Sequence, residues 1–299
     1  MNRINWVVDT RIFSNEMELM QFVRGINNTK HPSNIFVTKY AMFDDDAFPL
    51  YFGDKNTVIY GTINFCEHIR KKVNSLKMMG ALIQEPYMFG LTKDIECQNY
   101  LTKFPKEWLL NSDYVFVPFQ RLVEDPHFFY NMYQTNNIFI RPNSGGKVFT
   151  GQCIPNKDFD YEVNCLKQLT GVVDSTMIVV APAQKIKSET RCVIVNKQVV
   201  NASTYNIGNI NYYDQDTNIK TVDVNSNVMQ LAEQVAKYPY QIDHCYVVDI
   251  AELENGDVKI VEFNAFSCAG FYTFDYTPII NAVNETITLI NKQELVLER

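Results

Sequence analysis

The sequence predicts a mixed α/β protein in two domains or subdomains, with a small α/β domain at the start. Three observations carry this. Strand-like and helix-like stretches alternate from Ile4 to Leu76. A glycine loop flanked by Arg and Lys follows a short apolar strand in Asn137–Thr150. Val247–Asn264 reads as two strands with carboxylates on one face. Alternation of strand and helix is the mark of βα units around a parallel sheet.

Taken in order, Ile4–Asp9 (INWVVD) reads as a first strand and Glu16–Gly25 as a helix. Asn34–Tyr40 and Thr57–Gly61 read as further strands. Phe65–Leu76 has helical periodicity, and its run Arg70-Lys71-Lys72 reads as a solvated helix face. Around Tyr87–Lys106 the pattern breaks into aromatics, Gly90, Pro105 and mixed polar residues, which marks a boundary region without a flexible linker. Asp113–Phe119 and Met177–Ala181 resume as strands. Glu189-Thr190-Arg191 leads into Cys192–Val195, then a turn at Asn196-Lys197 and a strand over Gln198–Ala202. The polar stretch Tyr205–Val222 has no helical period and reads as a long loop, a place where lids are common. Val228–Lys237 and Pro278–Ile290 read as helices.

With 299 residues, 46% hydrophobic and 20% charged, the composition is that of an ordinary globular protein with room for a sizeable core. A net charge of −7 argues against broad binding of nucleic-acid phosphates. No apolar run approaches a membrane span, and MNRINWVVDTRIF lacks a signal peptide's apolar core, so the cytoplasm is the expected compartment. The seven cysteines show no CxxC spacing and read as buried thiols rather than a zinc site or disulfide framework. Neither GxGxxG nor GxxxxGK[ST] occurs, so the chain carries no dinucleotide fingerprint and no P-loop.

Two stretches carry chemistry. In NIFIRPNSGGKVFT, a strand ends at Arg141-Pro142, Asn143–Gly146 forms a loop, and Lys147 opens a new strand. Glycines let backbone N–H groups approach a ligand, and the flanking cations suit phosphate oxygens. A plain hairpin turn with exposed cations is the alternative. In VVDIAELENGDVKIVEFN, a two-residue turn at Asn255-Gly256 pairs Glu254 with Asp257 and Glu252 with Lys259. That register sets Asp249 opposite Glu262, with Asn264 on the same face. Opposed carboxylates repel, so one takes up a proton or both bind a divalent cation, unless the hairpin is an ordinary solvated one. Glu189 and Arg191 fit either an ion pair on a sheet face or a ribose-and-phosphate clamp.

In this order, FIRPNSGGKVFTG, SETRCVIVNKQVV and VVDIAEL…VEFNAF resemble the ATP-grasp superfamily, in particular a compact branch found mainly in bacteria and their phages. The resemblance covers most of the chain, since Arg3–Leu110 is similar to the small Rossmann-like domain that precedes the ATP-grasp core. It implies a domain boundary after residue 112 and two α+β subdomains around ATP, divided near 180. Arg141 and Lys147 would contact phosphates. The hinge Ala181–Ile186 would meet the adenine edge through Ala181, Ala183, Gln184 and Ile186, although Pro182-Ala183-Gln184 stand where relatives often carry an acidic residue. Glu189 would hold ribose or help orient the site, and Arg191 would face the phosphates or an acyl-phosphate, making Arg141 and Arg191 the catalytic candidates. Asp249, Glu262 and Asn264 would ligate Mg²⁺. The implied activity is ATP-dependent joining of a carboxylate to an amine. Phosphoryl transfer to another acceptor and a non-catalytic nucleotide-binding module are the rival readings.

Overall fold

The computed structural model describes residues 3–39, 56–208, 210–211, 223–273 and 275–293. In chain order it begins β1 (Ile4–Asp9), α1 (Glu16–Asn27), β2 (Ser33–Thr38), β3 (Thr57–Tyr60), α2 (Ile63–Met78) and α3 (Cys97–Tyr100). There follow β4 (Val115–Pro118), α4 (Phe119–Glu124), α5 (Pro126–Tyr133), β5 (Asn137–Pro142), β6 (Gln152–Pro155), α6 (Phe159–Leu169) and β7 (Met177–Pro182). The chain closes with β8 (Ile186–Val195), β9 (Gln198–Ile207), β10 (Ile210–Asn211), α7 (Ser226–Lys237), β11 (Cys245–Leu253), β12 (Val258–Ala265) and α8 (Thr277–Asn291). The chain forms two compact units, Met1–Thr92 with Ser188–Ile250 and Phe263–Arg299, and Lys93–Lys187 with Ala251–Glu262.

In the first unit, β1 lies between β2 and β3 in a parallel sheet. Parallel strands covered on both faces are mostly apolar, and every residue of INWVVD, polar Asn5 and Asp9 included, is buried. Ile4, Trp6 and Val8 pack against Phe22 and Ile26 of α1 and Ile280 and Val283 of α8. Val7 on the other face meets Phe65, Ile69 and Val73 of α2. At the end of β1 the fully buried Asp9 accepts from Thr62 Oγ1 at 2.7 Å and from Arg11 Nη2 at 3.2 Å.

The second unit is built on an antiparallel sheet in the order β4-β7-β5-β6. Leu122, Phe129, Ile138, Ile140, Phe159, Val163 and Val180 form its core, with α4, α5 and α6 on that face. The expected strand Asp113–Phe119 is shorter, and α4 starts at Phe119 itself. Pro126 sits in the first turn of α5, where its missing N–H costs nothing, and Asp125 caps that helix by accepting from Phe128 N at 3.2 Å.

The five-stranded sheet has the order β10-β9-β8-β11-β12. One of its hairpin turns differs from expectation. Asn196 and Lys197 both have positive φ, as a two-residue turn requires. At Asn255-Gly256, however, Gly256 N donates to Leu253 O at 2.9 Å and Leu253 N donates to Asp257 O at 2.8 Å. The loop is therefore Glu254–Gly256, with Gly256 at φ 87°, and Leu253, not Glu254, pairs with Asp257. Glu252 accordingly pairs with Lys187 at 2.7 Å, while Lys259 donates to Glu107 O at 2.6 Å. Alternation in β12 then breaks once. Val261 packs with Ala251 and Leu253, yet Asn264 donates to Asp249, which shares their face of β11. Glu262 follows Val261 at that break.

Other expectations shift as well. Lys147 does not open a strand; it lies at φ 45° in a turn whose N–H reaches Ser144 O, and the next strand begins only at Gln152. Tyr205–Ile207 continues β9 rather than starting a loop, and residues 212–222 lie outside the described residues. Cys66, Cys97, Cys192 and Cys245 are buried thiols, whereas Cys153 is exposed.

Burial alone would raise the Asp9 pKa, but hydrogen bonds from Arg11 and Thr62, with the adjacent guanidinium, outweigh it and hold the carboxyl below its ordinary value. A depressed carboxylate contributes stability above its unfolded pKa, about 3.9, and loses it as pH falls through the lower folded value. Urea unfolding as a function of pH should show this loss below about pH 4 in the wild type. Asp9→Asn should be less stable at neutral pH and should show a flatter acid limb.

Candidate functional site

In the second unit, β5 carries Arg141 to the edge of the glycine loop, where it is 4% exposed. Its Nη2 lies 2.9 Å from Glu262 Oε2, and Lys147 Nζ lies 2.6 Å from Glu262 Oε1. One carboxylate is thus held by two cations, one on each oxygen. Arg141 Nη1 donates to Tyr100 Oη at 3.1 Å and to Val261 O at 3.5 Å. Burial pushes the Tyr100 phenol well above its ordinary pKa, so it stays protonated. Gly146 N donates to Ser144 Oγ at 3.1 Å, and the loop then delivers Lys147 in its left-handed conformation.

The same unit holds the segment expected to meet adenine. Ala181 is buried in β7 opposite Phe139. Ala183 N donates to Asn137 O at 3.1 Å, so that amide belongs to the sheet. Gln184 is exposed, and Ile186 opens β8 and packs against Leu110, Ala251 and Leu253.

In the first unit, Arg191 of β8 grips Asp249 of β11 side-on, Nε to Oδ1 at 2.8 Å and Nη2 to Oδ2 at 2.7 Å. Its Nη1 donates to Gly270 O at 2.9 Å, and Asn264 Nδ2 donates to Asp249 Oδ2 at 2.9 Å. Asp249 is 1% exposed. Burial works against the charge on Arg191, but the carboxylate beside it prevails and raises its pKa, so the guanidinium is permanently protonated.

Two tyrosines wrap this pair. The Tyr205 and Tyr272 rings stack at 4.7 Å, and the Arg191 guanidinium lies 4.7 Å from the Tyr272 centroid and 5.4 Å from that of Tyr205. Tyr205 is the extra residue of a bulge in β9: Glu189 pairs with Asn206 and Thr190 with Thr204, leaving Tyr205 between them. The bulge brings its hydroxyl 2.7 Å from Glu189 Oε2. Burial, then the charges of Asp249 and Glu189, raise the Tyr205 pKa, so the phenol donates. Tyr272 sits at φ 52°, a strained backbone for a bulky residue.

The structure therefore brings Arg141, Lys147 and Glu262 together in one unit, and Glu189, Arg191, Asp249 and Asn264 together in the other. Sequence reasoning missed Tyr100, Tyr205 and Tyr272 as individual residues; Tyr205 entered only as the start of the polar stretch, and Tyr272 stands in a run rich in glycine and aromatic residues. Among the described residues, no three His, Cys, Asp or Glu side chains gather to hold a metal. The set implied for Mg²⁺ is instead two carboxylates and an amide. These are hard oxygen donors, a chemistry that fits such a cation, and each of the two carboxylates lies against a guanidinium.

Residues 98–285 match a family described as an ATP-grasp domain, the third family of its clade. No curated protein matches the sequence. Among solved structures, D-cycloserine synthetase DcsG superposes with a TM-score of 0.64 at 10% identity, covering 95% of this chain and 99% of that one. D-alanyl-alanine synthetase A from Vibrio cholerae gives 0.60 at 11% identity over 96% and 99%. The macrocyclase MdnC bound with precursor peptide MdnA from Microcystis aeruginosa gives 0.56 at 15% identity over 97% and 100%. No helix among the described residues is long and apolar enough to cross a membrane.

Breaking a buried ion pair from one side strands the other charge, at a cost of about 3–5 kcal/mol. Arg191→Leu should therefore lower unfolding free energy by that order in urea titrations. Adding Asp249→Asn should recover a large part of the loss, because the stranded charge is then gone.

Proposed function

The chain belongs to the ATP-grasp family, and on that premise we propose that it is an ATP-dependent carboxylate–amine ligase forming an amide or peptide bond. A carboxylate oxygen attacks the γ-phosphorus of ATP and ADP departs. An amine nitrogen then attacks the acyl-phosphate carbon, expels phosphate and loses a proton to form the amide. No nucleophilic Ser or Cys is needed, because the chemistry rests on positioning and charge.

In this reading Arg141 and Lys147 take up phosphate oxygens while the Asn143–Gly146 loop closes over them. The backbone of Ala181, Ala183, Gln184 and Ile186 borders the adenine, and Glu189 holds ribose. Arg191 neutralises the phosphoryl group in transfer. Asp249, Glu262 and Asn264 would hold Mg²⁺, which when bound neutralises phosphate charge. The division of the chain at 112 and near 180, and a cytoplasmic location, belong to the same reading. The D-alanyl-alanine synthetase and the macrocyclase with its precursor peptide put amino acids and peptides first among substrates to try.

The observation that carries the proposal is the grip of Arg141 and Lys147 on Glu262. Two cations converging beside a glycine loop form a charge cluster that an anionic ligand enters by exchange. The cations pass from carboxylate to phosphate as the carboxylate gains its own counter-ion.

The test is ADP release over a panel of amino acids and peptides, with condensed product followed by mass spectrometry. ADP and a product whose mass is the sum of the two substrates less one water, each requiring carboxylate and amine together, are the expected result. ADP with a phosphorylated acceptor and no condensation would replace the proposal with phosphoryl transfer. Tight ATP binding without turnover on any mixture would replace it with a binding module.

A further inference from the structure

The segment Ile95–Tyr100, which precedes β4 in the chain, is built onto the glycine loop. Cys97 N donates to Asn143 O at 3.0 Å, and Gln98 N donates to Asn143 Oδ1 at 2.8 Å, so both oxygens of Asn143 are fixed by adjacent amides. Cys97 Sγ reaches Pro142 O at 3.8 Å and lies 3.5 Å from Tyr100 Oη, which accepts from Arg141. Tyr100 is 1% exposed, so its hydroxyl is a fixed point rather than a mobile surface group. Ile95 fills the space where a Gly145 side chain would be, in contact through its Cδ1 and Cγ1. The backbone of Gly145 lies outside the left-handed region. Its lack of a side chain is thus explained by Ile95 and not by conformation.

We propose that Ile95–Tyr100 is a positioning clasp for the phosphate loop, in which Tyr100 sets the Arg141 guanidinium and Ile95 with the Cys97 and Gln98 amides sets Asn143–Gly145. This rests on the reading that Arg141 and the loop receive ATP phosphates. Tyr100 and Ile95 are positioning residues: they act through Arg141 and the loop backbone. A guanidinium with a free choice of rotamers loses entropy on meeting a phosphate; one held by Tyr100 has lost it already.

The test is calorimetric binding of ATP and, separately, of adenosine, which lacks phosphates, to the full chain in Mg²⁺. Tyr100→Phe keeps the ring and removes the hydroxyl; ATP affinity should fall about tenfold, the size of one hydrogen bond to a charged group, with adenosine affinity unchanged. Gly145→Ala should weaken ATP by a similar factor and leave adenosine alone. Ile95→Ala added to Gly145→Ala should recover most of that loss, since the added methyl then has room. Rescue of ATP affinity is an outcome that general destabilisation does not produce. Full affinity in Gly145→Ala, or no recovery in the double variant, would overturn the clasp while leaving the nucleotide reading intact. Equal losses for ATP and adenosine would also overturn it. Wild type binding neither ligand would remove the reading and the clasp together.

Discussion

Taking a carboxylate out of water costs several kcal/mol unless a cation comes with it, and that constraint organises both halves of the site chemistry. Asp249, in the interior of a strand, is tolerated because Arg191 meets both of its oxygens and Asn264 adds a third hydrogen bond. Glu262 is held by Arg141 and Lys147, again one oxygen each. Opposed carboxylates that a sequence reading sets against each other need neither a shared proton nor a permanent metal to coexist with the fold. The chain supplies its own counter-ions, and those are the groups best suited to phosphate.

Around Arg191 the arrangement is also shaped by backbone irregularity. The bulge at Tyr205 turns a strand residue toward Glu189 and the guanidinium, and Tyr272 accepts a left-handed backbone in order to stack on Tyr205. Strain of about 1–3 kcal/mol persists only where neighbours over-determine it. Here the ring stack, the cation above it and the Gly270 carbonyl on Arg191 do so. The side chains that enclose the ion pair thus come from places where regular strand geometry gives way.

Much of this was legible in the sequence. INWVVD read as a first strand, and the strand–helix alternation that follows it pointed to the parallel sheet in which β1 lies. The Asn196-Lys197 turn and the helix near Val228–Lys237 followed from period and spacing. What was illegible depended on single-residue offsets. Asn255-Gly256 supports both a two-residue turn and a three-residue loop with Gly256 in the left-handed bulge position, and only the hydrogen bonds at Leu253 and Asp257 decide between them. Lys147 looked like a strand start because Val148 and Phe149 follow it, yet the Ser144 turn continues through it. Tyr100 gave no signal at all, since its role is to sit behind an arginine 41 positions away.

The most direct test of the central claim, that these self-neutralised carboxylates and cations form an ATP·Mg²⁺ site, is a calorimetric titration with ATP, with and without Mg²⁺, on wild type and on Glu262→Gln. The account predicts strong binding in the wild type that depends on Mg²⁺, and loss of the Mg²⁺-dependent part in the variant. ATP bound equally tightly with and without the cation, or a Glu262→Gln titration that matches the wild type, would contradict it.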